Sequence, residues 1–310
     1  MDKKNLKEIR SHGHSHGSID PSIATTRKGI WAVKWSFIIL MITFLIQVVI
    51  VIFTGSVALL ADTIHNLGDA VTAIPLGIAF LFALRKPSKR FTYGFGRVED
   101  LAGVIIVMII LFSAIVAGYQ AVERILNPVP IRNIWAVIIA SIIGFIGNEG
   151  VAMFRIKVGK EIGSAALVAD GYHARIDGFT SLAVLFGAIG VIIGFPIADP
   201  IIGLLITLTI LKIVWDSVRK VFTRLLDGVE PEYLDEIRHS LTHVQEINEI
   251  LNIRARWSGH QLLAEIHIRV SPDISVTDAH RIAEDAEHEI MDHIKYVSNV
   301  VVRIVPGHSD

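Results

Sequence analysis

Long apolar stretches occupy most of the first two thirds of the chain. Each is long enough to cross a bilayer as a helix, because about 20 residues span about 30 Å of hydrocarbon. Short connectors containing Gly, Pro or Asn separate several of them. The pattern predicts six transmembrane helices in a membrane domain over residues 30–226. These helices are predicted at residues 30–53, 56–84, 100–126, 133–154, 163–194 and 197–218.

The hydrophobic pattern changes after Leu226, where the sequence becomes typical of a water-soluble domain. Within residues 261–270, apolar and polar side chains alternate, as in a strand with one buried face. The segments predict a helix at 231–244, strands at 248–257 and 261–270, a helix at 276–293 and a strand at 297–305. The order αββαβ indicates a C-terminal α+β domain over residues 227–310, with helices on one side of a small sheet. A core of this size favours dimerisation.

Composition agrees with this division. The 310 residues are 52% hydrophobic and have a mean hydropathy of +0.55, which is typical of a membrane protein. A net charge of −1 gives no indication of a nucleic-acid partner, and the lack of cysteine excludes disulfides and thiolate metal ligands. Residues 1–29 are polar, and we interpret them as a disordered N-terminal segment without a cleaved signal peptide.

Lys and Arg are unevenly distributed among the connectors, and this asymmetry predicts orientation. They are frequent before the first helix and at residues 85–97 and 155–160, but absent from the first and fifth connectors. We therefore expect both termini in the cytoplasm and a multi-pass protein of the cytoplasmic (inner) membrane.

One pattern, Ala-Asp-x-x-His-x-x-x-Asp, occurs twice within the apolar stretches, at residues 61–69 and 169–177. Its His and final Asp are four residues apart and so lie one turn apart on the same helix face. Two such faces together offer two imidazoles and two carboxylates, which suit a tetrahedral divalent cation such as zinc. The predicted ligands are His65, Asp69, His173 and Asp177.

The energetic cost of these residues supports a bound cation. An ionised Asp near the bilayer centre costs about 2.5–3.5 kcal/mol, so the four Asp residues of the two motifs together cost on the order of 10 kcal/mol. A cation offsets this cost. The first Asp of each motif, Asp62 and Asp170, precedes the His by three residues on the same stripe. Two roles are open for them: holding the second nitrogen of the His, or lining a polar access path.

These features resemble the cation diffusion facilitators, a family of divalent-metal/proton antiporters. The resemblance rests on the paired motifs in the second and fifth helices, the αββαβ tail and the Tyr-Gly-Phe-Gly-Arg-Val-Glu stretch at 93–99. It implies a homodimer in the lipid bilayer with a ferredoxin-like, metallochaperone-like tail. It further implies Zn²⁺ and protons as the transported ions, without a resident cofactor.

Three other functions are alternatives to zinc/proton antiport. A broader exporter of Cd, Co, Ni, Fe or Mn is the alternative within the family. An intramembrane metalloenzyme would need a general base beside the metal, as in His-Glu-x-x-His, and the sequence has no such motif. A metal-sensing receptor ranks low, because the tail has no obvious catalytic or DNA-reading module.

The resemblance also points to residues outside the membrane. His267 and His280 stand where some relatives have a metal site in the tail, but Arg303 and Val305 replace further ligands. Because a cation at Arg303 would repel a metal, we expect a weak site. It could also be rebuilt with other residues: His260, His308 or Asp310.

Two charged residues stand where the family links the membrane and tail parts of the dimer, namely Arg97 and Asp227. The alternative is that they are independent interfacial charges.

The remaining histidines are weaker candidates. The N-terminal segment contains a run of three histidines, His12, His14 and His16. This run either collects metal near the entrance of the transport path or is a solvated segment without a function in transport. Two further i,i+4 pairs, His239/His243 and His288/Asp292, have no third converging ligand in the sequence, so we interpret them as surface residues.

Overall fold

The structure is a computed structural model, and it describes residues 21–54, 67, 70, 73–126, 134–194 and 198–307. Each predicted transmembrane segment overlaps a described helix. The helices are α1 (Pro21–Thr54), α2 (Ala73–Ala83), α3 (Arg97–Leu126), α4 (Ile134–Ile162), α5 (Ala165–Ile192) and α6 (Ala198–Leu225).

Three of the described helices are long and apolar enough to cross a bilayer: Ile23–Phe53, Arg97–Val116 and Ile134–Ile162. Large apolar side chains are exposed along these helices, and such a surface is suited to lipid rather than water. The helical membrane class is therefore confirmed, while the number of six spans stays a prediction.

Several helices extend beyond their predicted bounds. Helix α1 begins at Pro21, so the prediction of disorder over residues 1–29 is wrong for residues 21–29, which are helical. Helix α4 continues to Ile162 and α6 to Leu225, so the last turns of both carry basic residues. The assignment of Arg155 to a connector is wrong, because this residue lies within α4 and is buried.

The C-terminal domain has the predicted element order. It comprises α7 (Pro231–Leu241), β1 (Glu249–Ser258), β2 (Gln261–Val270), α8 (Val276–His293) and β3 (Val297–Pro306). The strand order is β1-β2-β3, with β1 antiparallel and β3 parallel to the central β2. The parallel pair needs a crossover connection, which α8 provides.

Alternation along β2 gives this domain its core. Every second residue of the strand is buried, as predicted: Leu262, Ala264, Ile266, Ile268 and Val270. Apolar residues of α7 and α8, including Ile237 and Ile290, belong to the same cluster. The α+β class of the tail is confirmed.

A tight hairpin of α4 and α5 positions the second motif. The two helices meet at Gly163, whose positive φ of 74° favours glycine. Along the hairpin the backbones approach closely, because a Cβ on Gly171 would lie 2.9 Å from the backbone nitrogen of Ile156. Substitution of Gly171 would therefore force α4 and α5 apart and displace the motif.

Candidate metal site in the membrane helices

The second motif forms a buried nitrogen–oxygen pair on α5. The Nδ1 atom of His173 lies 3.4 Å from Oδ2 of Asp177, one helical turn away. Their side chains are 1% and 3% exposed. One imidazole and one carboxylate in this position supply two of the four ligands that a tetrahedral cation takes.

The first motif lies outside the described residues. His65, Asp69 and Asp62 all fall in that part of the chain. The four-ligand arrangement of the two motifs therefore stays a prediction, and so does the role of Asp62.

Asp170 forms a buried ion pair that the sequence did not suggest. Its Oδ2 lies 2.9 Å from Nη1 of Arg155, and both side chains are buried. The carboxylate thus faces a guanidinium on α4. The signal that the sequence analysis missed is a basic residue at the end of an apolar stretch. Because the helix continues past this residue, it lies within the helix and within reach of Asp170.

A second ion pair joins the same two helices. Arg175 on α5 donates from Nη2 and Nε to the carboxylate of Glu149 on α4, at 2.7 and 3.1 Å. The neighbouring Asn148 is buried. Because the pairs formed by Asp170 and Arg175 lie on either side of His173 in sequence, they fix the helix segment that carries the motif.

The turn between β1 and β2 docks on the membrane helices. His260 is buried, and its Nδ1 donates to Glu99 of α3 at 2.6 Å, while Nε2 lies 3.0 Å from the Thr26 hydroxyl of α1. The backbone N–H of Gly259 donates to Asp100 at 3.1 Å. The suggestion that His260 rebuilds a metal site of the tail is wrong, because both ring nitrogens face the membrane domain.

Further contacts surround this junction. Arg97 forms an ion pair with Asp227 in the same chain, so the structure brings the two predicted residues together. Arg224 lies over the Trp257 ring, 3.9 Å from its centre, and the Trp257 indole N–H donates to Glu230 at 3.0 Å. A role of Arg97 and Asp227 in a dimer stays a prediction.

The two histidines that the family resemblance pointed to in the tail, His267 and His280, do not lie near a group of other potential metal ligands among the described residues. His267 is paired in register with Arg303 on β3, so the expected cation lies on the neighbouring strand. His280 on α8 is 73% exposed and lies 3.4 Å from Glu284. Neither belongs to a cluster of three metal-ligating residues among the described ones.

His243 has a different environment from the one predicted. Glu289 and His293 of α8 both approach it, so it has the third converging ligand that the sequence did not reveal. His243 does lie at the surface, as predicted, since its side chain is 50% exposed, but the expectation that no third ligand converges on it is wrong. The other proposed metal-binding residues, His12, His14, His16, His308 and Asp310, lie outside the described residues.

Known proteins are similar to this chain over most of its length. Residues 33–226 match the cation efflux transmembrane domain, and residues 229–306 match the cytoplasmic domain of cation efflux proteins. A probable cation efflux system protein of Mycobacterium tuberculosis (strain H37Rv) is 50% identical over 305 residues, covering 97% of this chain and 92% of the relative.

More distant proteins are also similar. The manganese efflux system protein MneP of Bacillus subtilis (strain 168) is 27% identical over 261 residues, covering 81% of this chain and 87% of the relative. A solved MamM-CTD variant is 22% identical and has a TM-score of 0.25, covering 25% of this chain and 98% of that chain.

Proposed function

The chain belongs to the cation efflux family of divalent-metal transporters, and on that premise we propose that it exports zinc from the cytoplasm in exchange for protons. Members of this family are transporters and not enzymes. Zinc is the substrate in this proposal, and no resident cofactor is required.

The observation that carries the proposal is the buried pair of His173 and Asp177, with Nδ1 and Oδ2 3.4 Å apart. The same spacing at His65 and Asp69 would complete a set of two nitrogens and two oxygens. Such a set favours zinc, because manganese and magnesium prefer all-oxygen ligands.

Charge balance explains how such a site couples zinc to protons. Two carboxylates give the empty site a charge of −2, and either one Zn²⁺ or two protons restore neutrality. Imidazole must lose its proton to bind metal and titrates near neutral pH, so metal and protons compete. If the site opens alternately to the two sides of the membrane, the competition couples the two flows.

The proposed arrangement places both termini in the cytoplasm of a homodimer in the inner membrane. Residues 1–29 form the His-rich N-terminal segment, residues 30–226 carry the transport path, and residues 227–310 form the cytoplasmic domain. The contacts of His260 with Glu99 and Thr26 support a coupling role for this domain, because they link its sheet to α1 and α3.

A broader range of divalent cations is the second candidate. The similarity to MneP, a manganese efflux system protein, favours it. Competition by manganese, cobalt and cadmium in a zinc flux assay separates the two candidates. Zinc selectivity predicts that equimolar manganese leaves zinc uptake nearly unchanged.

Zinc flux into proteoliposomes tests the site. The variant is Asp177→Asn, and the matched control is Asp216→Asn, which removes an exposed carboxylate on α6. We expect the control to transport zinc like the wild type and Asp177→Asn to fall to the level of protein-free liposomes. Equal flux in the two variants would contradict the assignment.

A further inference from the structure

Three potential metal ligands converge where α7 and α8 end in the cytoplasmic domain. His243 lies in the turn after α7, and Glu289 and His293 lie one turn apart at the end of α8. The Oε1 atom of Glu289 is 2.6 Å from Nδ1 of His243 and 3.3 Å from Nδ1 of His293. One ligand atom from each residue lies within 4.8 Å of the others.

His293 can offer its Nε2 atom to a metal, whereas the 2.6 Å contact of Glu289 with His243 is a hydrogen bond that a metal would replace. Nδ1 of His293 also lies 2.9 Å from the backbone carbonyl of Glu289 and donates to it, so Nε2 of the neutral ring carries the lone pair. The side chains of His243, Glu289 and His293 are 50%, 25% and 54% exposed. A cation can therefore enter from water, and water can complete its coordination.

We propose that His243, Glu289 and His293 form a second divalent-cation site, of the zinc type, on the cytoplasmic domain. Two imidazoles and one carboxylate suit Zn²⁺, Co²⁺ or Ni²⁺, whereas Ca²⁺ and Mg²⁺ require more oxygen ligands. With three protein ligands and an open position, the site binds zinc less tightly than a closed four-ligand site. Its occupancy therefore follows the zinc concentration of the surrounding solution.

A bound metal would crosslink the ends of α7 and α8, which are far apart in the sequence. His243 and Glu289 are 46 positions apart in the sequence, and the metal would join the end of α7 to the end of α8. A cation that binds only the folded domain stabilises it by mass action. The site thus gives the cytoplasmic domain a means of responding to zinc.

This site is separate from the family position in the tail. His280 lies near the start of α8, about 20 Å from His293 at a rise of about 1.5 Å per residue. His267 lies on the sheet beside Arg303. The competing explanation of the new cluster is a plain His–Glu ion-pair network, which accounts for the contacts but predicts no zinc binding.

Zinc counting on the full-length protein separates the two explanations. The purified protein in detergent micelles is dialysed against buffered zinc, and bound zinc per chain is measured by atomic emission. The test variants are His243→Ala and Glu289→Gln, the second of which preserves side-chain shape. The matched control is His288→Ala, an exposed histidine on α8 whose Nδ1 donates to the backbone carbonyl of Glu284.

We expect both test variants to bind one zinc fewer per chain than the wild type, and the control to bind the same number. The difference should persist in an Asp177→Asn background, because the two sites share no ligand. Unchanged zinc binding in the test variants would overturn the proposal. An equal loss in His288→Ala would also overturn it, since the loss would not be specific to the cluster.

Discussion

Removal of Arg155 should destabilise the membrane domain more than removal of any partly exposed charge in the same hairpin. Arg155 and Asp170 are 1% and 0% exposed, and one 2.9 Å contact joins them. Among the described residues, Nε and Nη2 of Arg155 have no hydrogen-bond partner, so this contact is the main compensation for two buried charges. Arg155→Met leaves the Asp170 carboxylate buried without its cation.

Loss of one partner of a buried ion pair costs about 3–5 kcal/mol. At 1.4 kcal/mol per factor of ten, the folded-to-unfolded ratio falls roughly 140- to 3,700-fold. The assay is unfolding by sodium dodecyl sulfate in mixed micelles, followed by circular dichroism. Arg175→Met is the control, because its pair with Glu149 is 27% and 22% exposed and should contribute only about 1 kcal/mol.

The double variant Arg155→Met/Asp170→Leu tests whether the cost comes from the unpaired buried charge. Because it removes both buried charges together, its stability should return to within about 1–2 kcal/mol of the wild type. If Arg155→Met is no less stable than Arg175→Met, or if the double variant is as unstable as the single one, the ion-pair reasoning is refuted.

Three further predictions concern selectivity, metal capture and pH. His65→Asp should shift the substrate ranking from zinc toward manganese, iron or cadmium, because it adds an oxygen ligand; an unchanged ranking in competition flux assays would place selectivity elsewhere. Deletion of residues 1–20 should lower flux only at limiting zinc, which a zinc titration of transport checks; a loss at saturating zinc would contradict a collecting role. Burial raises the pKa of Glu230, but the Arg224 charge and the Trp257 indole N–H together hold it below its usual 4.5. The ionised Glu230 therefore stabilises the folded state above about pH 4.5, and this contribution is lost as the pH falls through the lower pKa of the folded state. In acid unfolding experiments, the free energy of unfolding of Glu230→Gln should decrease less with falling pH than that of the wild type.

Elements with strong local periodicity are predictable from the sequence. Helix α8 has its predicted bounds, 276–293, and strand β2 has its predicted bounds and buried face. Both signals are local, because a period of 3.6 or 2 is visible within a short window. The His-x-x-x-Asp spacing is local in the same way, and it is enough to put His173 and Asp177 on one helix face.

Contacts between distant segments are not predictable in this way. The sequence indicates a possible metal ligand of the tail at His260, yet its hydrogen-bond partner Glu99 lies 161 positions away. Arg155 resembles a connector residue, because a charge usually marks the end of an apolar span. Nothing in a single sequence shows that Asp170 lies opposite it, and the approach of Glu289 to His243 is equally non-local.

In the proposed transport cycle, one intramembrane site carries either zinc or protons. Simultaneous recording of zinc and proton movement, in proteoliposomes that contain a pH-sensitive and a zinc-sensitive dye, tests this competition. We expect inward zinc flux to drive protons outward, an imposed proton gradient to drive zinc uptake, and Asp177→Asn to abolish both. Zinc uptake by the wild type without any opposing proton movement would contradict the proposed cycle.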